Sequence, residues 1–235
     1  MSSSGSLTIA SLNMHGGVDR HGQPYDLEAA CHQLKADVIA LQEVFRPTGQ
    51  PDPLAAVANA LGLQVVFKGL AARTSLQRLR VGPQTGPGDW GIAVLTACPV
   101  ISYQVVDLGR APGDALPRAA QVMTLRTPGA RALRVANTHL THRFTSPMQL
   151  LWLAGRLAAG TEPTVITGDL NMPSLATLVA PRYRRVVHGP TYPAHRPLIQ
   201  LDHLLASPGV SADAAEVVAG VGSDHLPIRA HLSIR

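Results

Sequence analysis

Apolar and polar residues alternate along most of this chain. Strand side chains point to opposite faces in turn, so apolar residues two apart mark a strand with one buried face. Such runs occur at 7–13 (LTIASLN), 37–44 (DVIALQEV), 65–68, 91–95, 101–108, 119–126, 133–140 (LRVANTHL), 164–169 (TVITGD), 198–206 (LIQLDHLLA) and 228–234. Helical spacing is rarer. Leu27, Ala30, Cys31 and Leu34 follow Asp26, an N-cap residue. Asp52-Pro53 opens a second run, Leu54, Val57, Ala58 and Leu61, closed by Gly62. Ser146-Pro147 opens a third, with Leu150, Leu151, Ala154 and Leu157 on one face, ending at Gly160; a short fourth follows Pro173. Residues 82–88, 110–117 and 189–197 are rich in proline and glycine and read as surface loops. Many short strands and few helices predict two packed sheets with helices outside. No linker or strict repeat divides the chain, so one domain is expected over 1–235.

Face parity adds a second expectation. One face of each strand reads Leu7, Ile9, Ser11, Asn13; Ile39, Leu41, Glu43; Leu133, Val135, Asn137, His139; and Val165, Thr167, Asp169, Asn171. Each set begins apolar and ends polar. If these faces all pack inward and the strands share a direction, Asn13, Glu43, His139, Asp169 and Asn171 arrive at one end of the core. Burying such groups without partners costs several kcal/mol, so they are expected to line a cleft.

Composition narrows the class. The chain has 235 residues, 46% hydrophobic and only 15% charged, which excludes a disordered chain. No apolar run is long enough to span a bilayer and no signal-peptide pattern opens the chain, so a soluble, cytoplasmic monomer is expected. Cys31 and Cys98 lie far apart without metal-ligand spacing and read as buried, reduced thiols. The formal charge of +5 invites a phosphate-bearing partner. Only Lys35 and Lys68 are lysines, however, and aromatic residues are 4% with no stacking stripe, so charge alone does not make a nucleic-acid binder.

Each motif has a bland reading beside its chemical one. Asn13 before His15-Gly16-Gly17 reads first as a turn. Glu43 at the inward end of an apolar strand needs a cation, whether a metal or an arginine. His139 in Asn137-Thr138-His139-Leu140 reads alone as a structural histidine. Gly168-Asp169-Leu170-Asn171 is sharper: the glycine permits close backbone approach, and the acid and amide suit a phosphate, its metal and an attacking water. Its alternative is an Asx turn. Asp202, within an apolar strand, can fix the tautomer of His225, while Asp224 faces a metal. Here the alternative is two separate turn or salt-bridge carboxylates.

Taken in order, Asn13, Glu43, Thr138-His139-Leu140, Gly168-Asp169-Leu170-Asn171, Leu201-Asp202-His203 and Ser223-Asp224-His225 resemble the endonuclease/exonuclease/phosphatase superfamily. The resemblance spans nearly the whole chain. It implies a four-layered α/β sandwich, two packed sheets flanked by helices, with the active site at one end. Glu43 would be the principal metal ligand, with Asn13 and Asp224 completing the site. His225, oriented by Asp202, would be general base or phosphate contact, and Asp169 and Asn171 would position water and phosphate. His139 would stabilise phosphoryl charge or assist the leaving group. Arg118, before Ala119-Ala120, would touch phosphate, with a rim salt bridge as its alternative. Histidine at 139 resembles the DNase, sphingomyelinase and phosphatase branches more than the apurinic-site branch; Tyr103 is badly placed to serve as that branch's catalytic tyrosine.

The cofactor implied is Mg2+, with Mn2+ also suitable; zinc fits poorly, because no Cys/His cluster is present. The partner implied is a phosphate-ester substrate: a small molecule, a lipid headgroup or a nucleic acid. Hydrolysis of a phosphodiester or phosphomonoester by metal-assisted attack of water is the leading expectation. A nuclease, using a phosphate track of Arg20, Arg46, Arg73, Arg78 and Arg80, is the alternative, and an inactive binding module stands third.

Overall fold

Parallel pairing at two places brings distant parts of the chain to one end of the molecule. In the computed structural model, which describes residues 5–73, 87–114, 116–142 and 144–235, two six-stranded sheets face each other. The first contains β1 (Gly5–Asn13), β2 (Val38–Pro47), β3 (Gln64–Arg73), β4 (Gly88–Thr96), β11 (Val210–Val217) and β12 (Ile228–Ile234), in the order β11-β12-β1-β2-β4-β3. The second contains β5 (Val100–Asp107), β6 (Ala119–Arg126), β7 (Ala132–Thr138), β8 (Thr164–Asp169), β9 (Arg184–Arg185) and β10 (Asp202–Ala206), in the order β5-β6-β7-β8-β10-β9. β1 runs parallel to β2 and β7 parallel to β8, while the other pairs are antiparallel. A parallel pair needs a long return connection. Helix α1 (Leu27–Leu34) lies in the first return and α3 (Ser146–Leu157) in the second. Across the sandwich β1 touches β8, and β2 touches both β7 and β8.

Alternation sorts the residues into three apolar layers. Leu7, Ile9, Val94, Leu125, Val135, Val165 and Leu232 lie between the sheets. Ala10, Leu12, Ile39, Leu41 and Leu95 face α1 and α2 (Pro53–Leu61). Val122, Ala136, Ile166 and Leu205 face α3. This is the expected four-layered sandwich. The helix ends follow local chemistry: Asp26 accepts from Ala29 N, Asp52 accepts from Leu54 N ahead of Pro53, and Gly62 closes α2 in the left-handed region. The fourth helix is a 3-10 segment, Ser174–Val179.

The structure revises some element limits. The run at 198–206 divides: β10 begins at Asp202, and the preceding residues fold back so that Ile199 bridges Tyr192. β9 and β11 lie at sheet edges with little buried apolar surface, so the periodicity missed them. The loop expected at 82–88 falls mostly outside the described residues, and Gly88 already belongs to β4.

Face parity holds for β1, β7 and β8 and fails for β2. Val38 packs between the sheets, whereas Ile39 and Leu41 face the helices. Glu43 therefore does not reach the site by alternation. Leu41 pairs with Ala93 but Val44 pairs with Gly91, so β2 holds one extra residue in a bulge. Within it Glu43 has φ 53°, a conformation uncommon for a residue with a Cβ. The bulge redirects one side chain out of register.

Gly168 fixes the approach of β8 to β7. Its φ is 138°, and a Cβ there would lie 1.9 Å from Thr138 O. Gly168→Ala is expected to lower stability by about 3 kcal/mol, read from the midpoint of urea unfolding at unchanged m-value. A midpoint equal to that of the parent protein would show that the two strands can separate at no cost.

Candidate active site

The ends of β1, β2, β7 and β8 and the turn before β12 surround a cavity of about 390 Å³ lined by His15, Glu43, Trp90, Asp114, Leu116, Arg118, His139, His142, Asp169, Asn171, Tyr192, Leu201, Asp224 and His225. Asp169 is its hub. Asn13 Nδ2 donates to Asp169 Oδ2 at 3.0 Å and to Glu43 Oε1 at 3.1 Å. His139 Nε2 and His225 Nε2 lie 3.5 and 3.8 Å from Asp169 Oδ2. Asp169 Oδ1 accepts from Asn171 N, so the Asx turn read in the sequence is present and is also what places Asn171. His15, Glu43 and Asn171 all have positive φ. Such conformations persist where the surroundings over-determine them, as at functional sites.

The C-terminal part is tied in by backbone contacts. Ser223 Oγ donates to Asn13 O at 2.6 Å and accepts from His225 N. Asp224 Oδ1 lies 3.7 Å from His15 Nδ1. Asp202, fully buried, places Oδ2 2.9 Å from His225 Nδ1, and its Oδ1 has no hydrogen-bond partner among the described residues. Burial alone would lower the His225 pKa, but the charges of Asp202 and Asp169 outweigh it and push the ring up to about 10. His139 is held well below the usual histidine range, first by burial and then by Arg118 and His225. Asn171 Nδ2 lies 3.0 Å from His139 Nε2 and donates to Leu140 O. An amide donor there leaves that ring nitrogen as an acceptor, consistent with a neutral ring. Burial likewise pushes the Asp169 carboxyl up to about 7, and it raises Glu43 with help from the charge of Asp224.

The two histidines thus differ in charge: one is an imidazolium between carboxylates, the other a neutral ring. The structure brings together all the residues expected at the site. Arg118, expected to touch phosphate with a rim salt bridge as its alternative, lines the cavity but is buried and paired. It is 5% exposed, gives Nε and Nη2 to the two oxygens of Asp114, and points Nη1 at His139 O. Tyr103 stands exposed on the edge strand β5. Of the arginine track, Arg46 pairs with Asp52 and stacks on Phe67, Arg73 ends β3, and Arg78 and Arg80 lie outside the described residues.

Several contributors had no sequence signal. Tyr192, inside a loop read only as rich in proline and glycine, packs against His225 with the rings tilted by 44° and centroids 4.7 Å apart. Asp114 sits in another such loop. Asn137, buried between the sheets, donates to Leu41 O and Ala93 O and accepts from Gln42 Nε2. Its place in the inward parity set was the one available sign.

A cation fits this donor set. Glu43, Asp169 and Asp224 line one cavity beside the Asn13 amide, and Arg118, the one arginine lining it among the described residues, is held by Asp114. Buried carboxylates repel each other, and their oxygens suit a hard divalent ion. Asn13 presents Nδ2 to Glu43 and Asp169 and would offer Oδ1 to an ion on giving up its bond from His15 N. Among the described residues the acidic and histidine side chains that put three ligand atoms within 4.8 Å of one another are instead Asp169, Asp202 and His225. There a cation would compete with the Asp202–His225 hydrogen bond.

The chemical class follows from family membership, that of phosphoric-ester hydrolases. The model of the Endonuclease/Exonuclease/phosphatase family matches residues 10–225, and the chain belongs to that family. Comparison with curated proteins gives no match. Among solved structures, an endonuclease/exonuclease/phosphatase from Beutenbergia cavernae DSM 12333 is similar with TM-score 0.76 and 21% identity, over 98% of this chain and 72% of that one. A family protein from Bacteroides thetaiotaomicron gives TM-score 0.77 and 14% identity over 100% and 97%. The mannosyl-6-phosphatase of Bacteroides thetaiotaomicron VPI-5482 gives 0.72 and 15% over 96% and 99%. At these identities the similarity is one of fold. No helix among the described residues is long and apolar enough to cross a membrane.

The Asp114–Arg118 pair sets an acid limit. Burial raises the Asp114 carboxyl, but hydrogen bonds and charge from Arg118 overcome this and hold it at about 2. A folded-state pKa below the unfolded one gives stability that is complete above about pH 4 and lost as pH falls through about 2. Arg118→Met strands a buried carboxylate and should cost about 3 kcal/mol at neutral pH, with a flatter fall in Tm between pH 4 and 2. A Tm profile parallel to that of the parent protein would contradict the pairing.

Proposed function

We propose that the chain is a divalent-cation-dependent hydrolase of small or headgroup-sized phosphate esters, and that Glu43, Asn13 and Asp224 hold a magnesium ion. One observation carries this reading: Glu43, Asp169, Asp224, His139 and His225 meet in one cavity. Magnesium, when bound, supplies Lewis-acid stabilisation of charge on the phosphoryl oxygens. The chain's own residues do the rest. Asp169, with its pKa raised by burial toward neutrality, is matched to take the proton of the attacking water. His225, kept charged by Asp202, turns its Nε2–H toward the cavity and steadies the phosphate. Asn171 positions phosphate and fixes His139, which faces the departing oxygen. The new water O–P bond forms as the ester P–O bond breaks; the water proton passes to Asp169 Oδ2, and the departing oxygen takes its proton from solvent water.

A compact ester is favoured over a polynucleotide because Arg118, the one arginine lining the cavity among the described residues, is already held by Asp114. The similarity in fold to a protein named as a mannosyl-6-phosphatase agrees with this preference. Steep loss of substrate binding with salt would instead favour the nuclease reading.

Hydrolysis of bis-(p-nitrophenyl) phosphate should require magnesium and stop on chelation. His225→Ala should lower kcat by about 100-fold or more, while near-full activity in folded protein would remove His225 from the chemistry. Glu43→Gln should raise the magnesium needed for half-maximal rate by roughly 10-fold or more; an unchanged titration would displace Glu43 as a ligand.

A further inference from the structure

The two outer layers of the sandwich are not alike. On the side of α1 and α2, none of the large apolar side chains is among the exposed ones. On the other side, Phe144, Met148, Leu151, Trp152, Leu175 and Leu178 are between 46% and 103% exposed. Helix α3 buries Leu150, Leu153 and Leu157 inward and yet also presents apolar residues outward, so it is apolar nearly all round. A helix of that kind is ordinarily covered on every side.

These residues form one surface. The 3-10 segment Ser174–Val179 packs against α3 through Ala176 and Val179, which leaves Leu175 and Leu178 outward. Ser174 Oγ donates to Gln200 Oε1, which places exposed Leu198 and Ile199 on its other flank. The surface reaches the cavity: His142, Asn171 and Leu201 line the site, and each lies within a few residues of Phe144, Leu175 or Ile199.

Its charge is one-sided. Residues 140–161 and 170–201, which supply all these side chains, contain no aspartate or glutamate. Arg156, Arg182 and Arg196 in the same segments are exposed, and Arg156 lies over the Trp152 ring. Asp107 on β5 lies beside Trp152 and Arg156, but the segments that supply the apolar side chains carry arginines and no acids, which complements a surface that is apolar beneath and anionic on top. A polynucleotide would be met by stacked aromatics, but most residues here are aliphatic.

We propose that the outer face of α3 and the 3-10 segment, continuing to the lip of the cavity, docks on an anionic lipid bilayer. The site beside it then opens onto lipid headgroups. That consequence for the substrate rests on the proposed phosphoesterase function, whereas the docking does not.

The test is sedimentation of the protein with vesicles of phosphatidylcholine, with and without phosphatidylglycerol. The parent protein should bind the anionic vesicles, more weakly as salt rises. The triple variant Met148→Ser, Leu175→Ser, Leu178→Ser should partition at least ~10-fold less, with unchanged turnover of bis-(p-nitrophenyl) phosphate. Arg156→Ala with Arg182→Ala should weaken binding to anionic vesicles only. No binding by the parent protein, or equal binding by the triple variant, would overturn the proposal. So would concentration-dependent dimerisation that the triple variant abolishes without vesicle binding, which would assign the face to a second copy. Vesicle binding without magnesium-dependent hydrolysis would uphold the docking and sink the phosphoesterase reading.

Discussion

Asn137 crosses from β7 into the opposite sheet and holds it by its backbone. Its amide donates to Leu41 O and Ala93 O and accepts from Gln42 Nε2. Buried polar groups are costly unless every one is paired, so a satisfied network of this kind permits one alignment of the sheets and penalises slippage. Gln42 continues the network to Ser11 on β1, and Gln121 ties β6 to Val66 on β3. The contact lies directly beneath the bulge that carries Glu43. The same residues that lock the two sheets together therefore set where that carboxylate stands relative to Asp169.

Above this seam the chemistry is governed by burial. Asp169 and Glu43 are carboxylates in a place that disfavours negative charge, and His139 is an imidazole in a place that disfavours positive charge. His225 occupies similar surroundings and goes the other way, because Asp202 beneath it and Asp169 beside it supply more field than burial removes. Two histidines of one protein thus differ in protonation through carboxylates that belong to separate strands. Tyr192 packs on the charged ring from the loop side, and Ser223 holds the His225 backbone N–H. Asp114 similarly fixes Arg118, which in turn helps keep His139 neutral.

The site stands at one end of the sandwich, and the outer layers beside it carry different surfaces. Helix α1 presents a mostly polar exterior and α2 an alanine-rich one, whereas α3 and the 3-10 segment present large apolar side chains, with exposed Arg156 on α3. Both layers bury comparable inner faces against their sheets, so packing demands do not explain the difference. The exterior of α3 is free of that constraint and can be shaped by whatever meets the molecule there.

The sequence by itself determined the strands and helices with one buried face, because alternation and capping are local properties. Asp26 and Asp52 cap the helices where their side chains predicted, and the inward parity of β1, β7 and β8 was legible as far as Asn13, His139 and Asp169. The ordered motifs also carried the family. Only the tertiary structure decided how Glu43 arrives, since a bulge depends on which residues of β4 oppose β2 and not on β2 alone. It likewise decided that Asp202 and His225, 23 residues apart, form a hydrogen-bonded pair, that Arg118 is clamped by Asp114, and that Tyr192 covers His225. Those contacts join loops whose own residues have no periodicity. Their positions follow from closure of the two sheets on each other, which no short window of sequence encodes.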